Sequence, residues 1–84
     1  MELRQLEYFL AIVQCENMTQ ASKMIHISQP SLSAYLRDLE QELGFQLFNR
    51  TGKRLELNDS GRYYAKRVQE ALGILEEAQK NSLR

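Results

Sequence analysis

The spacing of apolar residues changes twice along this chain, and those two changes constrain the fold more than any other feature. Up to Gly44 the apolar positions recur at helical intervals, between residues 45 and 57 they alternate, and from Tyr64 helical spacing returns. Leu3, Leu6, Phe9, Leu10 and Val13, widened by Ile12, predict an amphipathic helix over about 3–15. Asn17-Met18-Thr19 interrupts it, and Thr19 is a suitable N-cap for a short second helix on which Ala21, Met24 and Ile25 point one way. A tight His26-Ile27-Ser28 connection follows. Ser28 can cap a third helix with Pro30 in its first turn, where a missing N–H costs nothing. Leu32, Tyr35, Leu36, Leu39 and Leu43 give that helix its apolar face, and Gly44 suits the left-handed cap that ends it.

Phe45 and Leu47 around Gln46, and Leu55 and Leu57 around Glu56, read as the strands of a short β-hairpin. The run from Asn49 to Arg54 joins them as a basic turn bearing a glycine. Asn58 or Asp59 then caps a last helix, with Tyr64, Val68, Ala71, Leu75 and Ala78 spaced four, three, four and three apart. That is a heptad-like seam on a helix of about 24 residues, or roughly 36 Å.

With 84 residues, 43% of them hydrophobic, the chain has material for one small domain and little room for a second. No stretch approaches the roughly 20 apolar residues that span a bilayer. Charges in Met1-Glu2-Leu3-Arg4 stand where a signal peptide needs its apolar run, so a cytoplasmic location is expected. A lone Cys15 forms no internal disulfide and fits a reducing compartment, leaving stability to helix packing and self-association. Catalysis finds no support in one His, one Cys, no glycine-rich phosphate loop and no spaced His/Cys cluster, and no cofactor or metal is expected. His26, Cys15, Met18 and Met24 read as packing residues.

The formal net charge is zero, which by itself argues against nucleic acid, but the charges are unevenly placed. Residues 1–49 carry Arg4, Lys23 and Arg37 against six carboxylates. Residues 50–67 carry Arg50, Lys53, Arg54, Arg62, Lys66 and Arg67 against Glu56 and Asp59 only. A positive patch of this kind binds phosphates whatever the total charge. Arg62, Lys66 and Arg67 fit backbone contact and an ordinary solvated helix face equally well.

A short helix, a tight turn and a second helix with an uncharged polar leading edge make a helix-turn-helix. The second helix of that motif enters the major groove N-terminus first, here with Gln29, Pro30, Ser31, Ser33 and Ala34. Gln can pair with the adenine N6/N7 edge, Ser can donate or accept, and Pro or Ala can pack on a thymine methyl. A helix N-terminus also favours a phosphate. The basic hairpin follows directly, as a wing able to lie on the backbone or reach into the minor groove. A winged helix that binds only protein is the alternative, but such a wing has no need of six cations.

Several segments resemble the N-terminal DNA-binding domain of LysR-type transcriptional regulators. They are Thr19-Gln20-Ala21-Ser22, His26-Ile27-Ser28-Gln29-Pro30-Ser31-Leu32-Ser33, Leu39-Glu40-Gln41-Glu42-Leu43-Gly44, Leu47-Phe48-Asn49-Arg50 and Asn58-Asp59-Ser60-Gly61. The resemblance implies a mostly α winged helix-turn-helix of three helices plus a short β-hairpin wing, followed by a long dimerisation and linker helix. It divides the chain into a DNA-binding part, 1–58, and a linker helix, 59–84. It implies that Ser28, Gln29, Pro30, Ser31 and Ser33 meet double-stranded DNA in the major groove. Arg50, Thr51, Lys53 and Arg54 serve the wing, and the last helix pairs with a second subunit's copy to read an inverted repeat. Members continue into a larger domain that senses a small molecule, so the chain is expected to be an excised or naturally truncated reader that binds DNA constitutively.

Ala34 and Tyr35 stand where many members of that family carry Arg and Gln. Ala34 cannot make the bidentate guanine contact of an Arg, so reliance on A·T contacts, methyl packing and minor-groove shape is expected. Two readings of Tyr35 stand side by side, as a core residue and as a hydroxyl reaching a phosphate.

Overall fold

A computed structural model describes residues 1–51 and 54–81, Arg54 by its backbone alone. The expected sites Lys53 and the Arg54 side chain therefore lie outside what is described. The order is α1 (Leu3–Cys15), α2 (Met18–Met24), α3 (Gln29–Leu43), β1 (Phe48–Thr51), β2 (Arg54–Leu57) and α4 (Asp59–Asn81). This is a winged helix-turn-helix extended by a long helix, as the apolar spacing predicts.

Local chemistry sets each boundary. The Glu2 backbone N–H donates to Gln5 Oε1 at 2.9 Å to open α1, and Glu16 closes it in the left-handed region at φ 54°. Asn17, not Thr19, caps α2: its Oδ1 accepts from the Gln20 N–H at 2.9 Å. Asn is the stronger cap, and the Thr19 hydroxyl is turned to another partner. The helix ends at Met24, which is exposed rather than packed, while Ala21 is fully buried. Ser28 caps α3 by accepting from the Ser31 N–H, and Gly44 ends it at φ 84°.

The hairpin pairs Phe48 with Leu57 and Thr51 with Arg54. Its first strand thus begins at Phe48 and not at Phe45, and Asn49, Arg50 and Thr51 belong to the strand rather than to the turn. The cause is Glu40, whose Oε2 accepts from the Leu47 N–H at 2.7 Å and holds residue 47 against α3 before pairing starts. Asn58 then fastens the hairpin to α4. Its N–H donates to the Leu47 carbonyl at 3.1 Å, its Nδ2 to the Gln46 carbonyl at 2.9 Å, and its Oδ1 accepts from the Gly61 N–H at 2.7 Å. Gly61 has to be glycine: a Cβ there would lie 2.1 Å from the Leu47 carbonyl oxygen and 2.6 Å from Leu57 Cδ1.

The core joins all these pieces. Phe9, Ile12, Ala21, Leu32, Leu36, Leu39, Leu47, Phe48 and Ala65 are buried together. Phe9 is its hub, with ring centroids 5.8 Å from Phe48 and 5.7 Å from Tyr64, so one α1 side chain ties the wing and α4 to the bundle. At the far end the Met1 ammonium meets Glu42 Oε1 at 2.6 Å, pinning the start of α1 to the last turn of α3. The molecule measures 50 × 27 × 20 Å, its long axis reflecting the length of α4. No described helix is long and apolar enough to cross a membrane.

Candidate nucleic-acid interface

The leading edge of α3 is exposed at Ser28, Gln29, Pro30 and Ser31, while Ser33 and Ala34 are half-buried behind it. Leu32 and Leu36 face the core, so helical spacing turns 29–31 and 33–34 outward. Two side-chain hydrogen bonds arrange the edge. Thr19 Oγ1 on α2 donates to Gln29 Oε1 at 3.2 Å, and Ser28 Oγ donates to Ser31 Oγ at 2.8 Å. The Ser28 hydroxyl therefore serves the cap on both its donor and acceptor sides, whereas Ser31 keeps its own O–H. The positive end of the α3 dipole lies at the same edge.

Arg50 and Thr51 lie exposed on β1, and Arg50 reaches Glu40 of α3. Arg50 is 3.5 Å from Glu40 Oε1, and the Glu40 side chain is only 11% exposed while that of Arg50 is 54% exposed. One largely buried carboxylate thus takes both the Leu47 amide and the wing arginine, fixing the wing relative to the reader helix. A shallow recess of about 390 Å³ runs between Arg37, Gly44, Phe45, Gln46 and Arg50. Sequence reasoning missed Arg37, which the fold places across this recess from Arg50. The signal was its position four residues after Ser33, hence on the same helix face. Thr19 was missed as well, because its part depends on a residue of the next helix.

Along α4, Arg62 pairs with Asp59 and donates to the Leu57 carbonyl at 2.9 Å, and Arg67 pairs with Glu70 at 3.0 Å. Lys66 is exposed. Tyr64 and Val68 pack on this chain's own core, Tyr64 against Phe9 and Val68 at 4% exposure. Ala71, Leu75 and Ala78 are exposed farther along, with Ile74 beside them. Leu72 and Leu75 flank a recess of about 410 Å³ with Leu3 and Glu7 of α1. Burial, followed by the charge of Glu42, raises the pKa of Tyr64 above its usual value. Tyr35 stands edge-on to Tyr8, with centroids 4.9 Å apart, and the hydroxyls of Tyr35 and then Tyr8 hold the Arg4 guanidinium above its usual pKa. The Tyr35 ring is thus a packing residue between α1 and α3.

Comparison with known proteins agrees with this geometry. Residues 3–62 match the family model for bacterial regulatory helix-turn-helix proteins of the lysR family. The Hca operon transcriptional activator HcaR of Escherichia coli K12 is 44% identical over 84 residues, covering all of this chain and 27% of HcaR. The transcriptional regulator BsdA of Bacillus subtilis is 43% identical over 79 residues, covering 93% of this chain and 27% of BsdA. The chain therefore spans about a quarter of the length of these relatives, both of which are named as regulators of transcription. Among solved structures, the BenM DBD in complex with benA site 1 DNA superposes with a TM-score of 0.95 at 32% identity, covering all of this chain and 98% of that one. The CbnR DBD–DNA complex gives 0.92 at 33% identity, covering 98% of this chain and 94% of that one. With the motif, the wing and the long helix all matched in order, the chain belongs to the LysR family of bacterial regulatory helix-turn-helix proteins.

Proposed function

We propose that the chain is the DNA-reading part of a transcriptional regulator, binding double-stranded DNA sequence-specifically with α3 in the major groove and the wing on the backbone or minor groove. The observation that carries this reading is the leading edge of α3: an exposed, uncharged set of hydrogen-bonding side chains, pre-arranged by α2 and flanked by wing arginine. Gln29, Pro30, Ser31 and Ser33 read base edges, Ala34 packs on thymine methyls, and Ser28 holds the helix end at which a phosphate sits. Arg50, Thr51, Lys53 and Arg54 serve the wing. Residues 1–58 form the reader, and α4 has two parts, a first half packed on the reader and a distal half that pairs with a second copy.

Pairing rests on the exposed apolar positions Ala71, Leu75 and Ala78. Tyr64 and Val68 begin the same seam but are already covered by the core. Two readers held about one helical turn apart specify an inverted repeat, which four or five bases under one reader cannot do in a genome. The location is the cytoplasm, at the nucleoid. An effector, where one acts, works through a domain beyond these residues, and no catalytic role is assigned.

Selection from a random duplex library at moderate salt tests the reading. Enrichment of an inverted repeat with half-sites about one turn apart supports reader, wing and dimer together. No retention even at low salt sinks it and favours a protein-binding winged helix. Replacing Ala34 with Arg is expected to add a guanine preference in each half-site; an unchanged motif in Ala34→Arg contradicts the role given to Ala34.

A further inference from the structure

The hydrogen bond between Thr19 and Gln29 connects the first turn of α2 to the first residue of α3, and it fixes something the backbone cannot. A glutamine amide ends in a carbonyl that accepts and an NH2 that donates, two groups of nearly the same shape. An unheld Gln can turn either group toward a base, and the two are read by different bases. Here the Thr19 hydroxyl donates to Oε1 at 3.2 Å, so the carbonyl side is turned toward α2. The Nε2 group makes no hydrogen bond among the described residues. The neighbouring pair works in the same sense: Ser28 donates to the Ser31 hydroxyl oxygen at 2.8 Å, which leaves the Ser31 O–H to point elsewhere.

Thr19 is poorly explained as a structural residue. It is exposed, and it does not cap α2, because Asn17 does. The buried Ser22 hydroxyl donates to its carbonyl, not to its side chain, at 2.8 Å. Among the described residues, the partner of the Thr19 hydroxyl is Gln29, at the tip of the reader helix.

We infer that Thr19 is a specificity-positioning residue: by holding Gln29 Oε1 it presents the Nε2 donors to the DNA. This rests on the DNA reading proposed above and deepens it. In the major groove both purines offer an N7 acceptor, guanine adds O6 and thymine offers O4, whereas cytosine offers the N4 donor. A Gln held donor-first therefore favours a base with an acceptor, a purine above all for its N7, and disfavours cytosine on the strand it faces. One lone pair of Oε1 remains, so adenine keeps its second bond.

The test uses the intact chain with Thr19→Val, which keeps the shape and removes the hydroxyl, Thr19→Ser, which keeps the hydroxyl, and Gln29→Ala. Library selection with the parent protein and Gln29→Ala identifies the base pair that depends on Gln29. Affinities are then measured on duplexes with a purine, a 7-deazapurine or cytosine at that position. Discrimination is a ratio within one protein preparation, so a loss of active protein cancels. Thr19→Val is expected to lower purine-over-cytosine discrimination at that position by about 3- to 10-fold, the effect of one net hydrogen bond. Thr19→Ser is expected to retain it, and Thr19→Val to add nothing in a Gln29→Ala background. The 7-deazapurine is expected to weaken binding of the parent protein more than that of Thr19→Val. Uniform weakening on every duplex by Thr19→Val, with discrimination intact, overturns the inference by making Thr19 a backbone contact. If Gln29→Ala changes no base preference anywhere, the reading of Gln29 fails first and the inference falls with it.

Discussion

Two glycines of α4 have opposite value to the fold although both lie in the same helix. At Gly61 the helix approaches the strand junction so closely that a Cβ would sit 2.1 Å from the Leu47 carbonyl oxygen. Backbone cannot yield cheaply there, so Gly61→Ala is expected to cost about 3 kcal/mol or more and to loosen the wing. At Gly73 a Cβ would meet nothing within 4 Å. Gly73→Ala is therefore expected to stabilise the isolated chain by up to about 1 kcal/mol, through helix propensity alone. Urea denaturation of the two variants checks the pair: an unchanged or raised midpoint in Gly61→Ala would contradict the close approach there, and a lowered midpoint in Gly73→Ala would contradict the open space at Gly73. Tyr64 sets the alkaline limit. Its folded pKa is raised, chiefly by burial, so its contribution to stability is complete below the ordinary tyrosine value of about 10 and is lost as pH rises through the higher folded value. Thermal melts of the parent chain and Tyr64→Phe across that range are expected to show a shallower alkaline decline in the variant.

At the scale of elements, the wing's position relative to α3 is set by Glu40 more than by the hairpin's own pairing. Its carboxylate accepts from the Leu47 amide and faces Arg50 from a largely buried site. Glu40→Ala leaves the Leu47 N–H without this acceptor and is expected to cost about 1.5–3 kcal/mol, with hydrogen exchange at Leu47 rising well before global unfolding. Unchanged protection at that amide would show that the wing is held by something else. This tie also explains what the sequence could and could not tell. Helix ends were legible at Ser28, Gly44 and Asn58, because capping is local chemistry. The start of β1 was misread at Phe45, because an alternating apolar pattern does not reveal that an α3 carboxylate holds residue 47. Thr19 was read as a cap for the same reason: its partner, Gln29, belongs to another helix. Heptad spacing marked Tyr64 and Val68 as a seam but carried no information on which surface covers it, and here the chain's own Phe9 lies against Tyr64.

For the whole molecule, Phe9 is the point at which reader, wing and long helix meet. Phe9→Ala is expected to cost about 3–5 kcal/mol, a large part of the stability of so small a domain, and to lower DNA affinity by unfolding the chain rather than by altering base preference. On the proposed function the charge layout divides the labour at the same scale: arginines of the wing and of α3 are expected to answer to phosphates, and uncharged side chains at the tip of α3 to bases. The most direct test of that division is the salt dependence of affinity, on a selected site and on a scrambled duplex, for the parent chain and for Gln29→Ala/Ser31→Ala. The double variant is expected to lose most of the preference for the selected site while the slope of log affinity against log salt stays the same, because no phosphate contact has been removed. Full preference for the selected site in the double variant would contradict it.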